Sequence, residues 1–295
     1  MSMEVKTLAD AEPRPRRVAI GTFDGVHVGH RAVIAGADTV LTFDPHPLTV
    51  LSPAKAPNQI MSFDLKRDTI ASLGVGELVV IPFNREFSRL TADEFVESIL
   101  IERLGATEVA VGENFKFGAG ATGDAGTLSS RTEFTTRVEP LAVVDGEVVS
   151  STRIRELVAA GSLDEARDCL GGPFTFEGEV VRGDGRGRDL GYPTANLVPA
   201  DGALVPARGI YAALADGAPA AVSVGLRPTF ESEGGLLVEA FLIGQDRDLY
   251  GQTLRIEFIE RLREERKYDD VDELVAQMHE DVEMAKASCA AHVRA

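Results

Sequence analysis

The stretch Gly21-Thr22-Phe23-Asp24-Gly25-Val26-His27-Val28-Gly29-His30 directly follows the apolar run Val18-Ala19-Ile20. A short strand that breaks at glycine and re-enters as a helix leaves backbone N–H groups and a positive helix end facing the turn, where phosphate binds. The histidines, three residues apart, reach the same side of the turn. They can donate hydrogen bonds to phosphate oxygens or, when protonated, offset negative charge. The stretch predicts a nucleotide site, although an isolated His-x-x-His pair is more often an ordinary surface or core pair.

Short apolar strands alternate with helices along the first half of the chain, which is the pattern of a parallel α/β sheet. Thr91 is placed to cap a helix, with Glu94 three residues on as its partner in a capping box. The predicted strands are residues 18–20, 39–43, 78–81, 109–111 and 141–144, and the predicted helices are residues 31–35, 64–73, 92–104 and 152–160.

After Gly171-Gly172-Pro173 the chain changes to short β-like runs broken by Gly and Pro, which predicts an antiparallel barrel or sandwich. The predicted strands are residues 174–182, 210–215, 220–224, 236–242 and 253–258. A closing amphipathic helix over residues 271–289 carries an apolar stripe of Val271, Leu274, Val275, Met278 and Val282. With the boundary near Gly172, the domains are residues 1–172 and 173–295.

The composition fits two compact domains, since 295 residues suffice for two separate cores. The net charge of −17 argues against a nucleic-acid partner but leaves a nucleotide open, because a small phosphate ligand needs only a local nest of N–H groups and a few cations. With only Cys169 and Cys289, neither a disulfide framework nor a cysteine zinc site is expected. No signal-like segment and no apolar run of roughly 20 residues is present, so we expect a cytoplasmic protein without a membrane span.

The motif from Gly21 to His30 is similar to the HxGH motif of the nucleotidyltransferase superfamily. Thr42-Phe43-Asp44-Pro45-His46-Pro47, Gly112-Glu113-Asn114-Phe115-Lys116-Phe117-Gly118 and Ser150-Ser151-Thr152-Arg153-Ile154-Arg155 follow in the order expected for bacterial bifunctional riboflavin kinase/FAD synthetases. Gly191-Tyr192-Pro193-Thr194-Ala195-Asn196 resembles the PTAN motif of riboflavin kinases. The match continues through Arg227-Pro228-Thr229-Phe230, Val238-Glu239, Tyr250-Gly251 and the segment 262–268.

This resemblance implies a Rossmann-like nucleotidyltransferase domain with a parallel sheet, followed by an antiparallel β-barrel riboflavin kinase domain with a closing helix. Such an enzyme phosphorylates riboflavin to FMN with ATP, then adenylylates FMN with ATP to give FAD and pyrophosphate, using Mg²⁺. The partners it implies are small molecules, with no nucleic acid or membrane, and self-association is left open. Two other readings stay open: a single-activity nucleotidyltransferase acting on another phosphate monoester, and a non-catalytic flavin-binding protein.

In the first domain, the resemblance implies that His27 and His30 contact the ATP phosphates and stabilise the transition state. The hydroxyls from Ser150 onward can cap a helix while bonding phosphate, and the two arginines that follow supply fixed charge. The further ATP-binding or phosphate-binding residues are Gly21, Phe23, Gly25, Gly29, Asn114, Ser150, Ser151, Thr152, Arg153 and Arg155. Asp24 is either a ligand or a turn residue. His46, with Pro47, is either a structural turn or a flavin contact.

In the second domain, the resemblance places Thr194 and Asn196 as Mg²⁺ and ATP ligands, because a hydroxyl and an amide carbonyl are hard oxygen donors. Glu239 matches the base that takes the proton of the ribityl 5′-hydroxyl. Without the resemblance, Glu239 reads as the outward residue of an alternating strand and Pro-Thr-Ala-Asn as a bend. The predicted flavin-binding residues are Arg263 and Tyr268, where Tyr268 stands in place of an expected phenylalanine.

The loop 182–188 is rich in glycine and arginine and is predicted to form a phosphate lid through Gly183, Gly185 and Gly187. Taken alone, such a loop is more often a flexible turn. It is not a Walker A loop, because no Gly-Lys-Ser/Thr follows.

The connection after His30 is unusually short. Eleven residues separate His30 from Thr42, close to the minimum for a strand-helix-strand crossover. The resemblance implies a helix about three turns longer at this point. The local walls of the nucleotide pocket are therefore where we expect this chain to depart from the family.

Overall fold

The computed structural model describes residues 3–183, 187, 190–226, 236–245 and 247–294. Contacts between Cα atoms divide the chain into two compact units: Met1–Pro57 with Phe63–Ser151, and Asn58–Ser62 with Thr152–Ala295. By this measure residues 152–172 group with the second unit, although the functional boundary near Gly172 stays a prediction.

The first unit is built on a parallel sheet, as the alternation of strands and helices predicts. Among the described residues, its strands follow the order β1-β4-β3-β2-β5-β8. They are β1 (Glu4–Thr7), β2 (Arg16–Ile20), β3 (Thr39–Asp44), β4 (Glu77–Pro82), β5 (Ala106–Gly112) and β8 (Thr135–Glu139). Lys116–Phe117 (β6) pairs antiparallel with Gly123–Asp124 (β7), and Val143–Val144 (β9) with Glu147–Val148 (β10).

One predicted strand of this sheet is wrong. Residues 141–144 do not join the sheet, whose edge strand is β8 instead, while β9 belongs to a separate hairpin. An edge strand can leave much of its surface in water, so the polar run Thr-Thr-Arg-Val-Glu forms β8 without an apolar signature. The first strand, β1, was missed for the same reason, since its residues are mostly exposed.

The helices of the first unit lie close to their predicted positions. The capping box at Thr91 and Glu94 is confirmed, but the helix that it starts continues as a π-helix, which the sequence did not indicate. The α-helices are α1 (Val28–Ile34), α2 (Pro47–Leu51), α3 (Phe63–Ser72), α4 (Ala92–Glu94) and α5 (Ala125–Ser129), and the π-helix is Phe95–Arg103. Short 3₁₀ turns lie at Leu8–Asp10, Pro53–Lys55, Phe87–Arg89 and Ala119–Ala121.

The second unit contains a closed antiparallel barrel, in the strand order β11-β12-β15-β14-β13-β16 among the described residues. The strands are β11 (Phe174–Val181), β12 (Ala195–Pro199), β13 (Gly209–Ala215), β14 (Ala218–Leu226), β15 (Leu236–Leu242) and β16 (Thr253–Arg263). β12 was not predicted, because Pro-Thr-Ala-Asn on its own reads as a bend. It pairs with β11 on one side and β15 on the other, so it closes the barrel.

Among the described residues, three helices belong to the second unit: α6 (Ser151–Ala160), which begins at its boundary, α7 (Leu163–Leu170) and α8 (Val271–Arg294). The predicted stripe on α8 is largely confirmed and extends to the buried Ala285 and Cys289. Val271 is the exception: it is exposed at the first turn, where α8 has not yet reached the barrel surface. Both cysteines are buried, and neither forms a disulfide.

A buried ion pair ties together the amino ends of the central strands of the sheet. Arg16 on β2 donates from Nε to Oε2 of Glu77 on β4 over 2.7 Å, and Thr39 on β3 donates to the same oxygen over 3.1 Å. Arg16 also donates to the carbonyl of Leu104. Burial opposes the charge on Glu77, but the hydrogen bonds and charge of Arg16 outweigh it and lower the pKa of Glu77 to about 2.

We expect Glu77→Gln to destabilise the first unit by about 3–5 kcal/mol, because it leaves the buried Arg16 guanidinium without a counter-charge. All four tyrosines lie in the second unit and the chain has no tryptophan, so tyrosine fluorescence reports the barrel alone. In urea, the far-UV circular dichroism of the variant should show a transition at a lower concentration than in the wild type, while the tyrosine transition stays in place. The exposed Glu97→Gln is the matched control.

The same pair gives a pH dependence of defined sign. Because the folded-state pKa of Glu77 lies below its ordinary value of 4.5, its contribution to stability is complete above that value and is lost as pH falls toward 2. Glu77→Gln should therefore flatten the acid limb of the stability profile of the first unit. An equal acid limb in the wild type and in Glu77→Gln would contradict this role.

Candidate active sites

The turn between β2 and α1 holds two non-glycine residues in the left-handed region of the backbone. Phe23 has φ 49° and Val26 has φ 38°, which is costly, above all for a β-branched residue. Thr42 Oγ1 and Lys66 Nζ both donate to the carbonyl of Thr22, and Ser151 Oγ donates to the carbonyl of Asp24 over 2.9 Å. The surrounding elements thus hold the turn in a conformation that its own residues disfavour.

The two histidines of the motif meet at the start of α1. Their rings stack with centroids 3.5 Å apart, and Nδ1 of His27 caps the helix by accepting a hydrogen bond from the backbone N–H of His30. A Cβ on Gly29 would lie 3.2 Å from the His27 ring, so glycine is needed there for the ring to fit. Gly25 has φ 91°, which accounts for the other glycine of the motif.

Both imidazoles are neutral at physiological pH in the unliganded protein. Burial lowers the pKa of His27 to about 4. Burial also lowers the pKa of His30 well below its ordinary value, and the charges of His27 and Lys66 lower it further. A neutral imidazole acts as a hydrogen-bond donor through its N–H, whereas a bound polyanion would favour the protonated form.

The histidines open onto a cavity of about 600 Å³ in the first unit. This is large enough for a nucleotide-sized ligand. The cavity brings together most of the residues predicted for the first site: Gly21, Phe23, His27, Gly29, His30, Pro47, Asn114, Ser150 and Ser151. Gly25 is buried in the turn behind it and does not line it.

Aromatic side chains form much of the cavity wall, and the sequence did not single them out. Phe95 and Phe117 have ring centroids 5.3 Å apart, and the Phe115 ring stacks on Phe117. The other lining phenylalanines of this wall are Phe43, Phe83 and Phe87. The alternating Phe115-Lys116-Phe117 is the part of this wall that the sequence could have indicated. The other phenylalanines come from separate elements. Such walls suit flat ring systems.

Lys66 on α3 is a second feature that the sequence did not indicate. Its ammonium donates to the carbonyl of Thr22 over 3.1 Å, inside the phosphate turn. Burial lowers the pKa of Lys66, while the nearby charges of Asp24 and Asp44 oppose that shift. No sequence motif links Lys66 to this turn, because Lys66 belongs to a different helix from the histidines.

Three predicted residues of the first site lie beyond the contact-defined division. Thr152, Arg153 and Arg155 occupy the first two turns of α6, and Arg155 donates from Nε to the carbonyl of Asn58. His46 caps α2 by accepting at Nδ1 from the backbone N–H of Leu48, so its structural role is clear.

The barrel places two predicted residues of the second site directly opposite each other. Asn196 on β12 is the register partner of Glu239 on β15, and Glu239 is in turn opposite Ser223 on β14. Opposed residues in adjacent strands have Cβ atoms roughly 4.5–5.5 Å apart. Because Val238, Ala240 and Leu242 point into the buried interior, the alternate residue Glu239 lies on the outer face. Ser223 joins this row without having been predicted.

The glycine loop packs against the same region. A Cβ on Gly183 would collide with the amide of Asn196, and one on Gly187 would collide with the carbonyl of Tyr192 and lie 3.5 Å from Thr194 Oγ1. The third predicted glycine, Gly185, and the motif 227–230 lie outside the described residues. The hydroxyl of Thr194 and the amide oxygen of Asn196 are donors of the kind that Mg²⁺ prefers.

The two flavin-binding residues predicted near the end of the second domain, Arg263 and Tyr268, make different contacts. Arg263 forms a two-pronged ion pair with the buried Asp281 of α8, at 2.7 and 2.6 Å, so its guanidinium serves first to dock that helix. The buried hydroxyl of Tyr268 has no hydrogen-bond partner among the described residues, and the guanidinium of Arg266 lies over its ring.

Comparison with known proteins matches both halves of the chain to enzyme families. Residues 9–153 match the FAD synthetase family and residues 170–289 match the riboflavin kinase family. The chain belongs to the bifunctional riboflavin kinase/FMN adenylyltransferases. It phosphorylates riboflavin to FMN with ATP and adenylylates FMN with ATP to give FAD.

The relatives of this bifunctional enzyme cover nearly its whole length. The bifunctional riboflavin kinase/FMN adenylyltransferase of Listeria monocytogenes is 33% identical over 92% of this chain and 91% of its own, and that of Escherichia coli K12 is 33% identical over 94% of each. A crystal structure described as a macrolide-efflux protein from Streptococcus pneumoniae superposes with a TM-score of 0.86 at 30% identity, covering 96% of this chain and 99% of its own.

Among the described residues of this bifunctional enzyme, no helix is both long and apolar enough to cross a membrane. No cluster of three or more His, Cys, Asp or Glu side chains in the same part of the chain could hold a metal ion. The predicted Thr/Asn oxygen site is of a different composition from such a cluster.

The histidine pKa values of the adenylyltransferase site can be measured directly. The His27 ring should titrate near pH 4, and the pKa of the His30 ring should lie well below its ordinary value, because burial disfavours both imidazolium forms. Heteronuclear NMR of labelled histidine side chains reads this out. His27→Asn assigns the signal while keeping an acceptor at the helix cap.

Binding of a non-hydrolysable ATP analogue should raise the pKa of both rings, since a nearby polyanion favours the imidazolium. Either ring of this pair titrating near its ordinary value of 6.5 in the free protein would contradict the assigned burial.

Proposed function

We propose that the two reactions take place at two separate sites, FMN adenylylation within residues 1–172 and riboflavin phosphorylation within residues 173–295. The matches of residues 9–153 and 170–289 to the two enzyme families support this allocation. The observation that carries it is that the stacked histidines open onto a cavity of the first unit, whereas the Asn196–Glu239 row lies on the barrel of the second.

At the first site, an oxygen of the FMN phosphate attacks the α-phosphorus of ATP, and the bond to pyrophosphate breaks with its electron pair leaving on pyrophosphate. Charge accumulates on the phosphoryl oxygens in the transition state. His27 and His30 donate hydrogen bonds to those oxygens, and Asn114, Ser150 and Ser151 bind the remaining phosphates. The other proposed contacts are Gly21, Phe23, Gly25, Gly29, Thr152, Arg153 and Arg155.

The phenylalanine wall of the first site holds the flat rings of the substrates, with Pro47 beside it. This positions the two phosphates against the histidines and excludes water from the reacting atoms. His46, which caps α2 in the free protein, fixes the backbone on which Pro47 sits. We therefore assign to His46 an indirect part in flavin binding.

At the second site, Glu239 takes the proton of the ribityl 5′-hydroxyl of riboflavin as that oxygen attacks the γ-phosphorus of ATP, and the bond from that phosphorus to ADP breaks with its electron pair leaving on ADP. Thr194 and Asn196 would hold Mg²⁺, which neutralises charge on the ATP phosphates. Gly183, Gly185 and Gly187 are assigned to the phosphate lid; the close approach of Gly183 to Asn196 and of Gly187 to Thr194 supports this for two of them. Arg263 and Tyr268 border the flavin.

The partners of the enzyme are riboflavin, FMN and ATP, without nucleic acid, since a net charge of −17 disfavours phosphate-backbone binding. Two buried cysteines that form no disulfide fit a reducing compartment, and we propose a cytoplasmic location. Self-association is a further possibility that sedimentation measurements decide.

Single substitutions should separate the two activities. His30→Ala should lower FAD formation from FMN by roughly 100-fold or more, because a donor to the transition state is lost, and should still make FMN from riboflavin. Glu239→Gln should lower FMN formation by roughly 100-fold or more and leave FAD formation from FMN intact. Chromatography of products from purified protein with Mg-ATP measures both.

Loss of both steps in either folded variant would contradict the two-site assignment. Wild-type enzyme that makes FAD from FMN but no FMN from riboflavin would instead favour a single-activity adenylyltransferase. A protein that binds flavin and forms neither product would favour the non-catalytic reading.

Thr194→Val should raise the Mg²⁺ concentration needed for half-maximal FMN formation by roughly tenfold or more, because it removes an oxygen donor while keeping the side-chain shape. Thr194→Ser, which keeps the hydroxyl, should stay close to wild type. The Mg²⁺ dependence of FAD formation in the same preparations is the internal control. An unchanged requirement in Thr194→Val would remove Thr194 from the metal site.

A further inference from the structure

Helix α1, which carries the stacked histidines, is only seven residues long. At 1.5 Å per residue it spans roughly 10 Å, and isolated helices of this length are not stable in water. Its last carbonyls have no partners within the helix. Something outside the helix must therefore hold its carboxyl end, and the short crossover leaves no further turns to do so.

Arg137 on the edge strand β8 supplies those partners. Its Nη2 donates to the carbonyl of Val33 over 2.8 Å and to that of Ala35 over 2.7 Å, and its Nη1 donates to the carbonyl of Ala32 over 3.2 Å. A guanidinium at this end also neutralises the negative end of the helix dipole. The Arg137 side chain thus donates to three carbonyls at the carboxyl end of α1.

Two carboxylates orient this guanidinium. Glu108 on β5 accepts from Nε of Arg137 over 3.3 Å, and Glu139 on β8 accepts from Nη1. β5 lies between β8 and β2, and β2 is the strand that leads into the histidine turn. The arginine is therefore anchored on the sheet itself, and α1 is fixed relative to the strands that frame the site.

Two of the three carbonyls that Arg137 holds, those of Ala32 and Val33, lie within one turn of His30. Ala32 is two residues after His30, and His27 caps the same helix at its other end. At that end Arg31 donates from Nε to the carbonyl of Val26, which ties α1 to the strained turn. Because α1 has only two turns, we expect that loss of the hydrogen bonds of either Arg137 or Arg31 would displace the whole helix together with the histidine rings.

We propose that Arg137 is a positioning residue for FMN adenylylation. Its hydrogen bonds to the carboxyl end of α1, here called the clamp, take the place of the helical turns that the short crossover lacks. This inference rests on the proposed roles of His27 and His30. Arg137 does not line the cavity and takes no part in the chemistry. It acts by holding His30 in the geometry from which its N–H reaches the phosphate.

The test is Arg137→Met in the full-length enzyme, with Arg131→Met as the matched control. Arg131 is an arginine of the same unit whose ion pair is with Asp93, away from α1. Arg137→Met should lower kcat for FAD formation by roughly tenfold to 100-fold, since small displacements of catalytic groups have effects of that size. KM for FMN and ATP should change less than kcat, because the phenylalanine wall is built on other elements.

Hydrogen exchange separates positioning from general stability. Amides of residues 28–35 should exchange faster in Arg137→Met, while those of β2 and β5 keep their protection and FMN formation from riboflavin keeps its rate. Arg137→Lys, which retains the charge and part of the hydrogen bonding, should give an intermediate kcat. It also serves as the second variant if Arg137→Met does not fold.

Unchanged kcat for FAD formation, or unchanged exchange over residues 28–35, would overturn the proposal. So would a fall in kcat accompanied by an equal loss of protection across the whole sheet, which would make Arg137 a general stabilising residue. If His30→Ala retains FAD formation, the assignment of the histidines fails instead. Exchange over α1 still tests the clamp in that case.

Discussion

The turn between β2 and α1 is the constraint on which the adenylyltransferase site depends. Phe23 and Val26 hold left-handed backbone angles that cost about 1–3 kcal/mol each, and the turn persists only because its neighbours hold it. Lys66 and Thr42 fix one carbonyl of the turn and Ser151 fixes another. The strain is what directs the chain from the strand into a helix that begins with two stacked imidazoles.

The kinase site is organised by a different constraint, the register of an antiparallel barrel. Pairing β12 with β15 sets Asn196 opposite Glu239 whatever their separation in sequence. The alternation of buried and exposed side chains then puts both on the outer face. No strained backbone is needed, since a regular ladder already brings the amide of Asn196 and the carboxylate of Glu239 to neighbouring positions.

The sequence predicted the fold class well because strands buried on both faces leave apolar runs that can be recognised. It missed β1, β8 and β12, and these share a physical reason. β1 and β8 are edge strands with exposed side chains, and β12 is a short strand whose pairing is decided by partners far away in the chain. The π-helix at Phe95–Arg103 likewise has no signature separate from that of an α-helix.

For the proposed sites, the contiguous motifs could be recognised because each lies in one local stretch of chain. His27, His30, Gly25 and Gly29 lie within one turn and one helix start, and their part in the chemistry stays a prediction. The side chains that support them come from elsewhere: Lys66 from α3, Arg137 from an edge strand, and the phenylalanine wall from several elements. No spacing rule links residues that meet only after folding.

The sequence by itself determined the two-part architecture, and it predicted the phosphate-binding turn and the catalytic side chains, because each is written in local pattern. Tertiary structure decided the protonation state of the histidines, the row formed by Asn196, Glu239 and Ser223, and the means by which a seven-residue helix is held. Burial, strand register and long-range hydrogen bonds set these properties, and all three exist only once distant segments have packed together.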